Sequence, residues 1–595
     1  MPHRFAFLVS IVVSSADVLF AQTPGPAAKP ALPTVLLLGD SVRLGYAPLV
    51  TKRLARVATV VSPVSDDLDS AGMIEHLDDW LQGGKPLVVH FSCGLHDSSL
   101  AADGAKHRVD VDFYSRNLAR IVKRLRESTP TVVFANITPV NDAKMPREGA
   151  WTYRDTEVDK YNAAALAVMR DADVPIHDLH GIIDSEGRER LQEADGLHFT
   201  ESGNERIAEA VADCIARHVS VATWSNPAPV VPAVDAAQKY YQDQADRDAA
   251  VPDIYKHLPY GKFEAPASSA DWQARRPQVL KVVVDSLGDL PPRPSPQKVR
   301  IITRELYRDF TVERITIDND AFSPVTALVL TPAEKATGLR PAVLWLHSST
   351  PDKNGVLTPN SNGGAEPLGV TLVKAGYVVM APDACWYGDR AELTPAGVPE
   401  AYVRGKGDTL RKSQESLLKL NLWFGRTLWG MFVRDDQIAL DYLCSRPEVD
   451  AKRIGATGIS MGSTRSWWLA AVDDRIASAV CVACFTRYQN LIEHGELRAH
   501  GVYYFTNGIL KHFDSEGVLS LVAPRPLLAL TGDLDKGSPA DGIRVLEDQL
   551  KKVYAANGAA DRFRNVIYPN TGHVYTPEMR SEMLAWFDKW LKNNK

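Results

Sequence analysis

A serine enclosed by two glycines, in the stretch GISMG from Gly458 to Gly462, places the strongest constraint on how this chain of 595 residues folds. The β-like run before it, Arg453 to Thr457, and the helix-compatible run after it, Ser463 to Val472, predict a strand, a sharp turn and a helix. Such a turn exposes the serine, and the glycines let the strand and the helix approach each other. The stretch therefore predicts that Ser460 is a nucleophile.

Two downstream residues have the chemistry that this serine needs. A serine hydroxyl becomes reactive only when a histidine takes its proton and a carboxylate fixes the tautomer of that histidine. Asp535 follows the apolar run Leu527 to Thr531, and His573 follows the run Arg564 to Tyr568. Because the three residues occur in the order serine, aspartate, histidine after successive strands, the sequence predicts a triad of Ser460, Asp535 and His573.

The second half of the chain, Trp272 to Lys595, resembles the α/β-hydrolase family, and within it the dienelactone hydrolase and acetyl xylan esterase type. The segment RDD that starts at Arg434, ahead of RPEVD at Arg446, is similar to the segment that precedes the nucleophile in such esterases. The resemblance implies that Asp535 is the acid, because the family spacing is G-x-x-D, and Asp533 is the alternative.

The same resemblance implies an oxyanion hole made by the backbone N–H groups of Ser348 and Met461. The chain has His347 followed by Ser348 where the family usually has His-Gly. Trp386 and Tyr387 follow a strand at the predicted catalytic edge, where flat aromatic faces suit pyranose rings in a substrate-binding role. A tryptophan buried to anchor the loop is the alternative interpretation.

A second serine constellation of different design lies near the start of the chain. The tripeptide GDS ends at Ser41, directly after the apolar run Thr34 to Leu38. Two further segments belong with it: GLHD, which contains His96, and DGLH, which runs from Asp195 to His198. An aspartate three residues before a histidine can share one turn with it and orient the imidazole toward Ser41.

These segments resemble the SGNH or GDSL hydrolase family over roughly Pro33 to Val219. The resemblance implies that Ser41 is the nucleophile, His198 the base and Asp195 its orienting acid. His96 stands where the family usually has an asparagine that donates to the oxyanion, and a neutral imidazole can still donate one N–H. Gly72 is the candidate for the family's second oxyanion donor.

Alternating strands and helices predict an α/β fold class. The two resemblances imply two domains, an SGNH (flavodoxin-like) three-layer sandwich followed by an α/β-hydrolase fold. We predict a signal peptide over residues 1–21, the first domain over 31–221, a linker over 222–265 and the second domain over 266–595. The strands are predicted at Thr34–Leu38, Ala58–Val61, Leu87–Phe91, Thr131–Asn136, Val174–Asp178, Thr311–Ile317, Val325–Leu330, Ala342–Leu346, Val378–Ala381, Ile454–Thr457, Ala477–Val482, Leu527–Thr531 and Arg564–Tyr568.

The net charge and the absence of certain motifs limit the classes of partner, metal and cofactor that we expect the chain to bind. The formal net charge of -6, without a long basic run, argues against nucleic acid and anionic membrane as partners. The chain lacks H-E-x-x-H and paired C-x-x-C motifs, so we expect no metal and no cofactor. Arg4, ahead of the apolar stretch Phe5 to Val13, predicts export, to the periplasm or the medium. The spacing of Cys481 and Cys484 on a predicted strand favours two core residues over a disulfide.

The sequence thus predicts an exported serine esterase with two sites, which removes acyl groups, most simply acetyl, from polysaccharides. The polysaccharide substrate depends on the two family resemblances. One alternative is a broad carboxylesterase, or a peptidase of the prolyl oligopeptidase type. In a further alternative, the first domain is a carbohydrate-binding module without catalysis, because His96 replaces the usual asparagine.

Overall fold

The computed structural model describes residues 32–592 except 66, 102–103, 105, 146–150, 225–256, 320–322, 350–351, 360–361 and 392–406, and for 407–413 it describes the backbone only. The predicted signal peptide lies outside the described residues, and so does most of the predicted linker. None of the helices in the described part combines the length and the apolar character that a membrane crossing requires.

Sixteen strands lie in the described residues: β1 Thr34–Leu38, β2 Thr59–Val61, β3 Val88–Ser92, β4 Leu100–Ala101, β5 Thr131–Ala135, β6 Trp151–Thr152, β7 Ile176–His177, β8 Val299–Leu306, β9 Phe310–Ile317, β10 Val325–Pro332, β11 Arg340–Trp345, β12 Val378–Pro382, β13 Val449–Ile459, β14 Ile476–Val482, β15 Leu527–Gly532 and β16 Phe563–Tyr568. Every strand predicted from the sequence overlaps one of these.

The α-helices of the described residues are α1 Ser41–Leu54, α2 Ser70–Leu81, α3 Val111–Ser128, α4 Asp155–Asp171, α5 Leu179–Glu186, α6 Arg188–Leu191, α7 Glu201–Trp224, α8 Ser269–Leu287, α9 Leu368–Lys374, α10 Gly407–Trp423, α11 Leu428–Ser445, α12 Met461–Val472, α13 Tyr488–Glu493, α14 Ser515–Ser520, α15 Ala540–Ala556 and α16 Pro577–Phe587. The segment Asp588–Lys592 continues α16 as a π-helical turn.

Fourteen of the strands form one sheet, in the order β16-β15-β14-β13-β11-β12-β10-β9-β8-β7-β5-β3-β1-β2. The strands at both ends of this order pair in parallel, whereas β10, β9, β8 and β7 pair antiparallel in the middle. Parallel strands joined by helices place their carboxyl ends at one edge, where sites form in such sheets. The predicted α/β fold class is confirmed.

Helices cover both faces of the sheet. In β10, Ala327 and Val329 pack into one hydrophobic cluster, while Leu328 and Leu330 pack into the cluster on the other face. A third cluster fills the first half of the chain and includes most of β1, β3 and β5. Near-continuous burial of strands on both faces is typical of parallel sheets under helical layers.

The two halves of the chain join through strands β7 and β8. Ile176 and His177 pair antiparallel with Leu306 and Glu305, and the N–H of Asp178 donates to the carbonyl of Arg304 at 2.9 Å. From Pro33 onward the chain packs as one compact unit. The junction is therefore a stretch of shared sheet.

Candidate active sites

The first candidate site is built where β1 runs into α1. Ser41 is the first residue of α1, and Asp40 caps the helix by accepting the N–H of Val42 at 3.0 Å. Because a cap residue fixes the entry of the chain into the helix, it also fixes where the Ser41 side chain leaves the backbone.

The other two members of this site lie in the loop before α7. The ring of His198 places Nε2 at 2.9 Å from Oγ of Ser41 and Nδ1 at 2.7 Å from Oδ2 of Asp195. The second carboxylate oxygen of Asp195 accepts the N–H groups of Leu197 and His198, at 2.9 and 3.0 Å. The candidate nucleophile, base and orienting acid thus form one continuous hydrogen-bonded relay.

This relay is partly open to solvent, since the side chains of His198 and Asp195 are 42% and 41% exposed. Burial raises the pKa of Asp195, but the hydrogen bonds from His198 and from the two backbone N–H groups outweigh it and lower the pKa below its ordinary value. Asp195 therefore stays ionised, as an orienting acid must.

His96, the predicted oxyanion donor, is buried. Burial raises the pKa of Asp40, the residue before Ser41, and the charge of His96 opposes that rise. Nδ1 of His96 is 3.1 Å from the hydroxyl of Tyr153 and 3.2 Å from Oδ1 of Asp67. When Tyr153 donates to Nδ1, the proton of a neutral ring lies on Nε2 and stays available for donation.

Asp97, next to His96, anchors this loop. Its carboxylate accepts the N–H of Ser70 at 2.9 Å and also the Ser70 hydroxyl. Burial raises the pKa of Asp97 to about 7, although the hydrogen bonds from Ser70 oppose the rise. The residue ties the start of α2 to the loop after β3.

The structure does not favour Gly72 as an oxyanion donor. Gly72 lies in the first turn of α2, and its N–H donates to Oδ1 of the cap residue Asp69 at 3.0 Å. Donation to an oxyanion would first require this helix cap to break. The sequence pattern around Gly72 does not reveal this helix start, which commits the Gly72 N–H to the cap.

The second candidate site has the predicted turn between β13 and α12. Ser460 has a φ of 60° and a ψ of -122°, a strained conformation that costs on the order of 1–3 kcal/mol and is common at functional turns. A Cβ added to Gly462 would lie 1.9 Å from the carbonyl oxygen of Leu346, and one added to Gly458 would lie 2.2 Å from the same atom. Only glycines allow this approach of strand and helix.

The predicted acid and base of the second site are in contact. Nδ1 of His573 is 2.8 Å from Oδ2 of Asp535, whose side chain is fully buried. The alternative acid, Asp533, accepts the N–H of Thr571 at 3.2 Å and so braces the loop that carries His573. Ser460, Asp535 and His573 follow β13, β15 and β16, which are parallel members of one sheet and share its carboxyl edge.

The electrostatics of this pair suit a general base. Burial lowers the pKa of His573, but the charge of Asp535 and the hydrogen bond to it outweigh burial and raise the pKa above its ordinary value. A stronger base accepts the serine proton more readily.

Sequence reasoning missed two residues of this site. The thiol of Cys484 lies 3.9 Å from Oγ of Ser460. His500 is buried, and its Nε2 lies 2.7 Å from the carbonyl of Gly537, whose own N–H donates to Asp535 at 2.9 Å. His500 thus supports the loop of the acid. The sequence favours a core role for Cys484 and a structural or rim role for His500, and only the fold brings them to the site.

The segment of the predicted oxyanion donor Ser348 is held by its neighbour. Nε2 of His347 accepts the N–H of Ala384 at 2.9 Å, so the ring proton lies on Nδ1 and donates to the carbonyl of Ser348 at 2.5 Å. Met461 opens α12, where the first backbone N–H groups of a helix lack intrahelical partners. The roles of both N–H groups remain predictions.

Trp386 and Tyr387 do not offer a face to a sugar. Their side chains are 3% and 1% exposed, and they pack within a hydrophobic cluster. The hydroxyl of Tyr387 accepts a hydrogen bond from Gln414 at 2.9 Å. Their substrate-binding role is therefore not supported, and the alternative interpretation, a buried anchor for the loop, is the one that the structure favours.

Two buried groups of potential metal ligands occur in the described residues, and the sequence analysis identified neither. They are His90, His177 and Cys214, and Cys214, His218 and Glu305. In the second group the guanidinium of Arg217 already neutralises Glu305. Cys481 and Cys484 are free and buried, as expected for core residues.

Comparisons with known proteins agree with this division of the chain. Residues 37–206 match the GDSL-like Lipase/Acylhydrolase family, and residues 424–594 match the Prolyl oligopeptidase family. YtaP of Bacillus subtilis (strain 168), which is named as a hydrolase, is 34% identical over 318 residues, or 53% of this chain and 99% of YtaP. The chain belongs to the hydrolase family of YtaP. It therefore carries a GDSL-type hydrolase domain followed by an α/β-hydrolase domain.

Three further proteins are similar to parts of the chain at lower sequence identity. The isoamyl acetate-hydrolyzing esterase 1 homolog of Mus musculus is 27% identical over 214 residues, which is 33% of this chain and 86% of the mouse protein. A glucuronoyl esterase from Solibacter usitatus is 18% identical, with a TM-score of 0.42, and covers 56% of this chain and 99% of its own. An acetyl xylan esterase from Paenibacillus sp. R4 is 18% identical, with a TM-score of 0.35, and covers 56% and 97%.

Proposed function

We propose that the protein is a serine esterase with two catalytic sites, one in each half, that removes acyl groups, above all acetyl, from polysaccharides. The observation that carries the proposal is the continuous relay from Ser41 through His198 to Asp195, together with the strained Ser460 and the contact of His573 with Asp535. Two complete sets of nucleophile, base and acid fit acyl transfer.

In each site the chemistry follows the same order. The serine oxygen attacks the acyl carbon while the histidine takes the hydroxyl proton, and backbone or imidazole N–H groups receive the oxyanion. The histidine then gives the proton to the leaving sugar hydroxyl, and the acyl group remains on the serine. Water, activated by the same histidine, releases the acid and restores the enzyme.

The substrate class has separate support. The mouse relative is named for the hydrolysis of isoamyl acetate, an acetyl ester, which supports acetyl as the acyl group. The polysaccharide rests on the resemblance of both halves to families that include carbohydrate deacetylases. Two tethered sites suit a polymer esterified at different positions, because the second site acts at a raised local concentration. Export, proposed from residues 1–21, would place the enzyme with such polymers.

The test compares the wild type with Ser41→Ala, Ser460→Ala and the double variant, by acetate release from acetylated xylan and by hydrolysis of 4-nitrophenyl acetate. Each single variant should keep the activity of the other site, and the double variant should lose on the order of a thousandfold or more. Full loss in Ser460→Ala alone would instead support a binding module in the first half. Activity on the small ester without acetate release from xylan would reject the polysaccharide substrate.

The match to the Prolyl oligopeptidase family supports a second candidate for the C-terminal site, the cleavage of peptide bonds. Its acyl-enzyme chemistry is the same, with an amine as the leaving group. Cleavage of a peptide 4-nitroanilide by Ser41→Ala, with kcat/KM above that for acetyl esters, would favour this candidate.

A further inference from the structure

A chain of partly buried charges leads from the first half of the molecule to the second site. On helix α7, Oδ1 of Asp213 lies 2.9 Å from the guanidinium of Arg314 on β9. Arg314 also donates from Nε to Oδ2 of Asp389 at 3.0 Å, in the segment after β12. Asp389 in turn accepts a hydrogen bond from the ammonium of Lys353.

Lys353 belongs to the loop of the predicted oxyanion donor. It follows β11 and lies five residues after Ser348, and its side chain is almost completely buried. Its ammonium donates to Oδ2 of Asp383 at 2.8 Å, and its backbone N–H donates to Oδ1 of the same residue at 3.1 Å. A lysine held through both its ends has little freedom, so it fixes the backbone around it.

Asp383, which pairs with Lys353, connects the chain of charges to the segment of Ser348 by a second route. Asp383 is followed by Ala384, whose N–H donates to His347, and His347 donates to the carbonyl of Ser348. Burial raises the pKa of Asp389, but the charges of Arg314 and Lys353 outweigh it and lower that pKa. Asp389 is therefore a permanent anion between two cations.

We propose that helix α7 of the GDSL domain is a positioning element of the second site, and that Asp213 is the positioning residue through which it acts. Asp213 orients Arg314, and Arg314 with Asp389 and Lys353 holds the loop that presents the N–H of Ser348. The first domain would then supply part of the support for the catalytic geometry of the second. The inference rests on the proposed esterase function of Ser460.

The charge of Asp213 is the part of this connection that changes with pH. It is surrounded by Arg314 on β9, Lys353 after β11, Asp389 after β12 and Arg217 on its own helix. Its Oδ2 is buried and has no hydrogen-bond partner among the described residues. Burial raises the pKa of Asp213 to about 6, against the opposing charge of Arg314. Asp213 is thus an anion at pH 8 and largely neutral at pH 5.

The test uses the full-length protein with the first site disabled by Ser41→Ala, and 4-nitrophenyl acetate as substrate. Residual hydrolysis in this background confirms the Ser460 site itself and separates the two proposals. Asp213→Asn should lower kcat at pH 8 by roughly tenfold, with KM nearly unchanged, because the oxyanion donor acts in the transition state. At pH 5 Asp213 is already neutral, so adding Asp213→Asn to the Ser41→Ala protein should change its rate little. The ratio of the Ser41→Ala rate to the rate of the variant with both substitutions should therefore fall toward about 1 at pH 5.

Glu205→Gln is the matched control, since Glu205 is an exposed carboxylate on the same helix that pairs with Arg53 in the first domain. It should leave second-site kcat unchanged. Asp213→Glu keeps the carboxylate and should retain about half of kcat or more. A ratio that stays constant with pH, or equal losses in Asp213→Asn and Asp213→Glu, would assign the effect to packing and overturn the proposal. First-site activity of Asp213→Asn in a Ser460→Ala background reports that the variant has folded.

Discussion

The two candidate nucleophiles, Ser41 and Ser460, are held by different backbone conformations. Ser460 is held in the left-handed region, with helix and strand glycines that admit no side chain, whereas Ser41 opens α1 behind the cap residue Asp40. The acids differ as well, because Asp535 is fully buried and Asp195 is 41% exposed. The first site is therefore the one whose electrostatics respond more to solvent and salt.

His96 gives the residue-scale prediction, measured in the Ser460→Ala background. His96→Ala removes the donor proposed for the oxyanion of the first site, and loss of one such donor costs about 2.7 to 4 kcal/mol in the barrier. We expect kcat to fall on the order of a hundredfold or more. His96→Asn keeps one N–H in roughly the same place and should retain far more activity. Equal kcat for His96 and His96→Ala would show that His96 is not the donor.

Motifs predicted the residues of the two candidate sites, because nucleophile, base and acid recur at fixed places after strands. They did not predict which neighbouring aromatics are open to solvent. Trp386 and Tyr387 follow a strand at the catalytic edge, yet a hydrophobic cluster covers them. Burial of a loop depends on what packs over it, and that information is spread over segments distant in sequence.

At the scale of elements, the turn between β13 and α12 makes a clear prediction. Gly462→Ala would place a methyl group 1.9 Å from the carbonyl oxygen of Leu346, so either the helix or the oxyanion segment must shift. We expect a loss of second-site kcat of about a hundredfold, because a displacement near 1 Å costs this much, together with a lower melting temperature.

The control for this variant is Gly338→Ala. An added Cβ at Gly338 meets no atom within 4 Å, and its backbone lies outside the left-handed region. Activity and melting temperature should therefore match those of the wild type. A Gly462→Ala enzyme with unchanged kcat would show that the contact between helix and strand does not position the nucleophile.

Strand β8 has too weak a sequence pattern to be predicted as a strand. The strand was not predicted, because its eight residues include Arg300, Thr303, Arg304 and Glu305 beside the apolar ones. Thr303 and Glu305 are nevertheless buried, since His177 and the pair Arg217 and His218 meet them from the first half. A strand that buries polar groups against partners about ninety residues or more away carries only a weak local signal.

At the scale of the whole molecule, Glu305 in the shared sheet links the two halves of the chain. Glu305 is 1% exposed, accepts from Nε of Arg217 at 2.9 Å and lies 2.9 Å from Nε2 of His218, so charges of both halves meet there. Burial raises the pKa of Glu305, but Arg217 and His218 outweigh it and lower the pKa far below its ordinary value. The contribution of Glu305 to stability is therefore fully present above about pH 4.3 and is lost only as the pH falls toward the lowered value.

Glu305→Gln should therefore destabilise the junction over the whole range from pH 5 to 8. Removing one partner of a buried ion pair leaves the other charge uncompensated and costs about 3–5 kcal/mol. We expect a lower urea midpoint, followed by tryptophan fluorescence, and a transition that broadens as the two halves unfold less cooperatively. Asp78→Asn, which breaks an exposed pair with Arg124, should cost less than about 1 kcal/mol. Coincident curves for the wild type and Glu305→Gln would mean that the halves are held together by the sheet and the apolar contacts alone.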